Sequence, residues 1–340
     1  MRLPKITVVT PSYNQGEFLE ETLSSVLSQQ YPRLELIVID GGSTDGSVRI
    51  LKKYSAQLSH WVSEADNGQS HAINKGLRRA TGDILTWVCS DDLLKPNALR
   101  AAAAYFQENP NHGVVHGGCA MLKKDGQETK TTYGAGKGRL EDPFLYMAFP
   151  QPASFFRRTL LEKVGFLDES LHYAMDYDLF ARFRLYTDFL SVKDIFGSYR
   201  LHEASKTVSQ HDKFREEYRE VFSRVLRSFE MEEERQILIR LGEYRAGAAM
   251  YEVPDAETWT PAFRQHLSAY WMAHQMRLYF GEKNFAQVLA IGDELQHYAP
   301  SYWTDTPELH RLREAARYEE ASLPERIALR ARNLLRTPPQ

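Results

Sequence analysis

The first 116 residues alternate short apolar runs with helix-period segments, and no other feature of the chain limits its fold as strongly. Lys5–Thr10 (KITVVT), Leu34–Ile39 (LELIVI), His60–Ser63, Ile84–Cys89 (ILTWVC) and Gly113–His116 read as strands. Between them, Glu17–Gln29 places Leu19, Leu23, Val26 and Leu27 on one helical face. A second helix runs through Val48, Leu51 and Tyr54, and a third covers Ser70–Arg79. Pro96 is expected to open a fourth, where its missing N–H costs nothing. Such alternation predicts an α/β fold: a Rossmann-like, mostly parallel sheet flanked by helices.

Open sheets of this kind bind ligands beyond the carboxyl ends of their strands. The residues that follow each strand are therefore the ones to read. They are Pro11-Ser12-Tyr13-Asn14, Asp40-Gly41-Gly42-Ser43-Thr44-Asp45, Glu64-Ala65-Asp66-Asn67-Gly68 and Ser90-Asp91-Asp92. The topology brings these polar, mostly acidic loops to one rim, which makes Asp66 a ligand-side candidate along with the others.

Asp91-Asp92 is the sharpest of these signals. Two adjacent carboxylates repel, and a cation between them relieves the cost. Hard divalent ions such as Mg²⁺ or Mn²⁺ take oxygen ligands and tolerate phosphate oxygens beside them. The plainer alternative is a solvated turn ahead of the Pro96 helix. Asp40 ends a strand and is followed by glycines that let backbone approach a ligand, so it is read as donor-binding, with Asp45 as a helix cap. His202 follows Tyr199-Arg200-Leu201 at a strand end, where a lone histidine is usually a packed or surface residue. Asp176 and Asp178 flank Tyr177 at the start of a helix. Positions two apart point in different directions, so one is expected to face a site while the other caps or pairs locally.

Past Gly117 the pattern loosens. Asp125-Gly126 reads as a hairpin turn, Gly134–Gly138 as a glycine-rich link, Gln151–Phe156 as a strand and Ile195–Leu201 as an edge strand. From about His211 the chain is helical and charged, with Trp259–Tyr279 and Phe285–Tyr298 set to form a hairpin around Gly281. This suggests two regions, 1–210 and a helical 211–340. The formal charge of −3, from 42 basic and 45 acidic residues, does not point to nucleic acid as a partner. Two cysteines imply no disulfide framework and a reduced, cytoplasmic setting. No stretch is long and apolar enough to span a bilayer. Glu325–Arg336 (ERIALRARNLLR) carries Ile327, Ala331, Leu334 and Leu335 on one face amid arginines. Such a helix can lie on an anionic membrane or dock on the protein, so peripheral contact with the inner membrane face is an expectation.

The motifs VVTPSYNQGEFLEETLSSVLSQ, VIDGGSTDGS, SEADNGQSHAINKG, SDDLLKPNAL, YAMDYDLFARF and YRLHEASKT, running from Ile6 to about Ser205, resemble the inverting glycosyltransferases of family 2, with the GT-A fold. The resemblance implies transfer of a sugar from a nucleotide-diphosphate sugar, UDP-linked by preference, to a hydroxyl of a saccharide or lipid-linked saccharide in cell-surface polysaccharide or glycolipid synthesis. It places Asp40 on the base, Asp91 on the ribose region, Asp92 on an Mg²⁺ or Mn²⁺ ion with His202 near it or the diphosphate, and Pro11 and Tyr13 around the nucleotide. Asp176 stands where the family has its catalytic base, the second acid of a pair whose first position here is Met175. Rival readings fit less well. A nucleotidyltransferase would carry Arg and Lys in a glycine-rich loop after the first strand, where this chain has PSYNQG. A dehydrogenase would show G-x-G-x-x-G there. A sugar-nucleotide binder without activity would have no need of Asp176.

Overall fold

The computed structural model describes residues 2–134, 142–147, 149–203, 206, 210–247, 249–254, 259–321 and 325. These fall into two compact units, 1–221 and 222–340.

The first unit is built on a nine-stranded sheet: β1 (Ile6–Ser12), β2 (Leu34–Asp40), β3 (His60–Ser63), β4 (Ile84–Trp87), β5 (Leu93–Leu94), β6 (Val114–Leu122), β7 (Glu128–Thr132), β8 (Ser154–Arg157) and β9 (Phe189–Arg200). The order is β3-β2-β1-β4-β8-β6-β9-β5, with β7 pairing β6. The β3-β2-β1-β4 half is parallel throughout, as the alternation predicts. Beyond it the sheet is mixed: β8 runs antiparallel to both β4 and β6, while β6 and β9 are parallel.

Three helices cover the parallel half, α1 (Leu19–Leu27), α2 (Ser47–Tyr54) and α3 (Gln69–Arg79), while α4 (Ala98–Glu108) packs on β6 and β9. The apolar stripe of α1 joins Ile6, Val8, Leu36 and Val38 in one core, with Leu99, Ala102 and Phe106 of α4. Ile37, Ile39 and Ala72 of α3 form a second cluster. Strand side chains alternate in direction, so these two sets occupy opposite faces of the sheet. Further along lie α5 (Asp142–Leu145), α6 (Arg158–Val164) and α7 (Met175–Arg184). Phe180 and Phe183 of α7 pack on Phe156 at 6.2 and 5.1 Å between ring centroids, and Phe180 also meets Trp87 at 6.2 Å. Aromatic pairs of this kind stabilise by about 0.5–1.5 kcal/mol each beyond burial, and here they fix α7 against β4 and β8.

Some local expectations are corrected. Pro11 and Ser12 belong to β1 rather than to the loop after it, and both are buried. Pro11 faces Ile39 of β2, but pairing with β4 ends at Val9↔Trp87, so the absent N–H breaks no ladder on that side. Pro96 lies outside α4, because Asn97 takes a left-handed φ of 64° and the helix starts at Ala98. The strand expected at Ile195–Leu201 starts at Phe189. It is interior rather than an edge, pairing β6 along its length and β5 at Gly197 and Ser198. The Asp125-Gly126 turn closes the β6–β7 hairpin, with Gly126 at φ +85°.

A helix, α8 (His211–Ser228), carries the chain from the first unit into the second. The second unit consists of the helices Glu232–Arg240, Pro261–Gly281, Phe285–Tyr298, Pro300–Thr304 and Pro307–Glu320. The expected hairpin is present. Thr260 caps its first helix by accepting from the Phe263 N–H with Pro261 in the first turn, and Asn284 caps the second by accepting from Gln287. Phe222 stacks on Trp271 at 4.1 Å inside this unit.

Candidate active site

The carboxyl ends of β1, β2 and β4 open into a cavity of about 1080 Å³. Each expected loop contributes to its wall: Pro11, Ser12 and Tyr13; Gly41; Ala65 and Asp66; Cys89 through Asp92. Met175 and Asp176 at the start of α7 line the same space. So Pro11, Tyr13, Asp66, Asp91, Asp92 and Asp176, scattered over 166 positions of sequence, share one cavity.

Asp40 and His202 are not on that wall as formed by the described residues. Asp40 is fully buried, and its oxygens accept from the Gly42 and Ser43 amides and from the hydroxyls of Ser43 (2.5 Å) and Ser63 (2.6 Å). It shapes the loop that presents Gly41. A Cβ on Gly41 would stand 2.8 Å from Asp66 Oδ2 and 3.2 Å from the Tyr13 ring, so only glycine lets these two side chains close around the backbone there. Asp45 accepts from the Ser47 N–H and hydroxyl at the start of α2 and from the Gly16 N–H, tying two rim loops together.

The turn holding Asp91 and Asp92 is fixed from two sides. Thr22 of α1 donates to the carbonyls of Ser90 (2.8 Å) and Asp92 (2.9 Å). Arg200, at the end of β9 and 2 % exposed, donates from Nε to the Asp91 carbonyl (3.0 Å) and from Nη2 to Glu21 (2.6 Å). Its backbone N–H donates to Asp92 Oδ1 at 3.1 Å. Burial and the charge of Asp91 push Asp92 well above the usual carboxylate range, against the pull of Arg200. Ligand atoms of Cys89, Asp91 and Asp92 lie within 4.8 Å of one another. His202 is bonded to Asp91 rather than Asp92, with Nε2 and Oδ2 3.0 Å apart. A divalent cation fits this donor set, because it would neutralise a buried carboxylate that has repulsion at its side. The Cys89 thiol is pushed well up by burial and by Asp92 and Asp91, which keeps it protonated, so the oxygens are the natural ligands.

Asp176 sits at the N-terminal end of α7, half-buried, with Oδ1 accepting from the Tyr177 N–H at 2.8 Å. Burial pushes it up to about 6; the amide hydrogen bonds oppose this, the charge of Glu217 adds to it and that of Lys206 opposes it. Asp178 points the other way. It is 1 % exposed and paired with Arg182 at 2.8 Å, whose remaining donors reach the Val164 and Phe166 carbonyls.

A model of glycosyl transferase family 2 matches residues 7–165. An uncharacterized glycosyltransferase of Mycobacterium tuberculosis is 30 % identical over 200 residues, covering 56 % of this chain and 72 % of the relative. The chain belongs to glycosyl transferase family 2. A putative teichuronic acid biosynthesis glycosyltransferase of Bacillus subtilis, TuaG, is 35 % identical over 126 residues, covering 36 % of this chain and 50 % of TuaG. Among solved structures, TarS residues 1–349 of S. aureus in complex with UDP superimposes with a TM-score of 0.57 at 20 % identity, over 92 % of this chain and 86 % of that one. That likeness shows a shared GT-A fold.

Several wall residues of this family 2 member carry little signal in the sequence. Cys89 reads in the sequence as the end of an apolar run, although it stands two positions before Asp91. Lys206 lines the cavity, donates to the His172 carbonyl at 2.9 Å and is lowered by burial; it was visible only as the lysine of HEASKT. Phe214 and Tyr218 also line it. They stand on α8, beyond residue 210, and nothing local in their sequence marks them.

Proposed function

We propose that this chain is an inverting, metal-dependent glycosyltransferase that moves a sugar from a nucleoside-diphosphate sugar to an acceptor hydroxyl. The observation that carries this reading is Asp176: a carboxylate pushed up to about 6, in the wall of the same cavity as Asp91 and Asp92. A general base works best when its pKa lies near the working pH.

In this reading the nucleotide lies over the ends of β1 and β2, against Pro11 and Tyr13, with Asp66 and Asp91 as acceptors for its base and ribose. Asp40 acts through the Gly41 loop rather than by contact. The buried Ser12 hydroxyl, without a partner among the described residues, faces the same space as a spare donor. Asp92, with Asp91 and turned His202 beside it, would hold Mg²⁺ or Mn²⁺. When bound, that ion supplies positive charge for the diphosphate as it leaves. Asp176 takes the proton from the acceptor hydroxyl. The oxygen then forms a bond to the anomeric carbon as the carbon–oxygen bond to the diphosphate breaks on the opposite face, so a single displacement inverts the configuration. UDP-sugars are the favoured donors, and TarS, which shares the fold, binds UDP. A saccharide or lipid-linked saccharide of a cell-surface polymer is the acceptor class, in keeping with the name of TuaG.

The test is a panel of UDP- and GDP-sugars with Mn²⁺, read by thermal shift and by release of the nucleoside diphosphate in the presence of saccharide acceptors. A native-state ligand raises the melting temperature by mass action. One donor class should give both signals, and EDTA should remove the turnover. Full turnover in EDTA would refute the metal role, and no shift with any donor would refute the transferase reading.

A further inference from the structure

Glu217 lies on α8, outside every motif named above, yet its carboxylate accepts from three successive backbone amides. The His172 N–H reaches Oε1 at 2.8 Å and Oε2 at 3.0 Å; the Tyr173 and Ala174 N–H groups reach Oε2 at 2.6 and 2.7 Å. Those amides lead directly into α7, whose second residue is Asp176. A helix start offers unpaired N–H groups and a positive dipole end, and a carboxylate satisfies both. Glu217 therefore fixes the backbone from which Asp176 projects.

The rest of the surroundings gives Glu217 a second task. Met175, the neighbour of Asp176 in the chain, brings no charge. Asp178 is turned into Arg182. Lys206 opposes the charge of Glu217 at Asp176, and Tyr218, pushed up by burial and by Asp176, stays neutral. After burial, the charge of Glu217 also raises Asp176.

We propose that Glu217 is the positioning residue for the base: it clamps residues 172–174 so that Asp176 faces the cavity, and it supplies the second negative charge beside it. This rests on the reading of Asp176 as the base. A neighbouring like charge makes a carboxylate hold its proton more tightly, so Glu217 makes Asp176 a better acceptor near neutral pH.

The test needs no substrate. Carbon-13 NMR of protein labelled at aspartate carboxyls follows the Asp176 titration, with Asp176→Asn identifying the resonance. Glu217→Gln keeps the length and a carbonyl oxygen for the amides but removes the charge. The Asp176 midpoint should fall by a measurable fraction of a unit in that variant. An unchanged midpoint in folded Glu217→Gln would overturn the proposal. Hydrogen exchange on the unaltered protein tests the clamp independently of any variant: the amides of His172, Tyr173 and Ala174 should be protected, and fast exchange at all three would overturn it as well. With the donor found by the panel, the acid limb of the rate profile should move down with the midpoint and kcat should fall several-fold, while donor affinity stays unchanged. If titration and exchange behave as expected but the wild-type protein transfers no sugar, the assigned reaction fails and the pairing of Glu217 with Asp176 stands.

Discussion

Asp176 and Asp178 are two positions apart and have opposite surroundings, which separates their roles. Asp176 faces the cavity, so Asp176→Asn should reduce transfer by about 10²–10⁴-fold, the range for loss of a general base, with donor affinity by calorimetry near wild type. In the wild type the rate should fall as pH drops through about 6, where Asp176 takes up its own proton. Asp178 is buried against Arg182. Asp178→Asn should cost about 3 kcal/mol, because it strands a guanidinium in the interior. Denaturant unfolding should show that loss, while the rate per folded molecule stays close to wild type. A dead but stable Asp178→Asn would reverse the two assignments.

The end of β9 acts on chemistry it does not touch. Arg200 spans the Asp91 carbonyl and the Glu21 carboxylate with separate donors of one planar group, and lysine cannot reproduce that fork. Arg200→Lys should weaken donor and Mn²⁺ binding by roughly 10–100-fold, the equivalent of one charged hydrogen bond, with the fold retained; unchanged binding in calorimetry would show that the turn holds itself. The sequence exposed one side of this arrangement and hid the other. Strands β1 to β4 were legible because β-branched, apolar runs bounded by turn residues have few alternatives, and their order brought Asp91 and Asp66 to one rim. Arg200, Lys206 and Glu217 were not legible in role. Each reaches the site by tertiary contact across tens of residues, and a charged side chain in a helical or strand pattern reads as solvent-facing. The surroundings of Asp40 were hidden as well: its strand end is legible, but the hydroxyls of Ser43 and Ser63 that bond its carboxylate leave no mark in the pattern.

At the scale of the whole chain, no helix among the described residues is long and apolar enough to cross a membrane. The amphipathic stretch expected at Glu325–Arg336 lies outside the described residues apart from Glu325. Its arginines make a direct prediction: removing the residues after Leu323 should lower sedimentation with anionic liposomes, and unchanged binding would leave docking on the protein as its role. A different property follows from the two carboxylates of the cavity. Asp92 and Asp176 both hold protons more tightly in the fold than in the unfolded chain. Their share of stability is therefore lost as pH rises through their folded values and recovered on mild acidification. Glu35 works in the opposite sense. Burial alone would raise it, but Lys5, Thr7 and Thr81 hold it down at about 2, so its share is present above the ordinary carboxylate range and lost as pH falls toward 2. His116 sides with Glu35: burial lowers it to about 4, so its share is lost as pH falls toward that value. The cavity thus stores unfavourable charge that a bound cation would relieve, and donor with Mn²⁺ should raise the melting temperature more at neutral pH than in mild acid, an equal gain at both contradicting it.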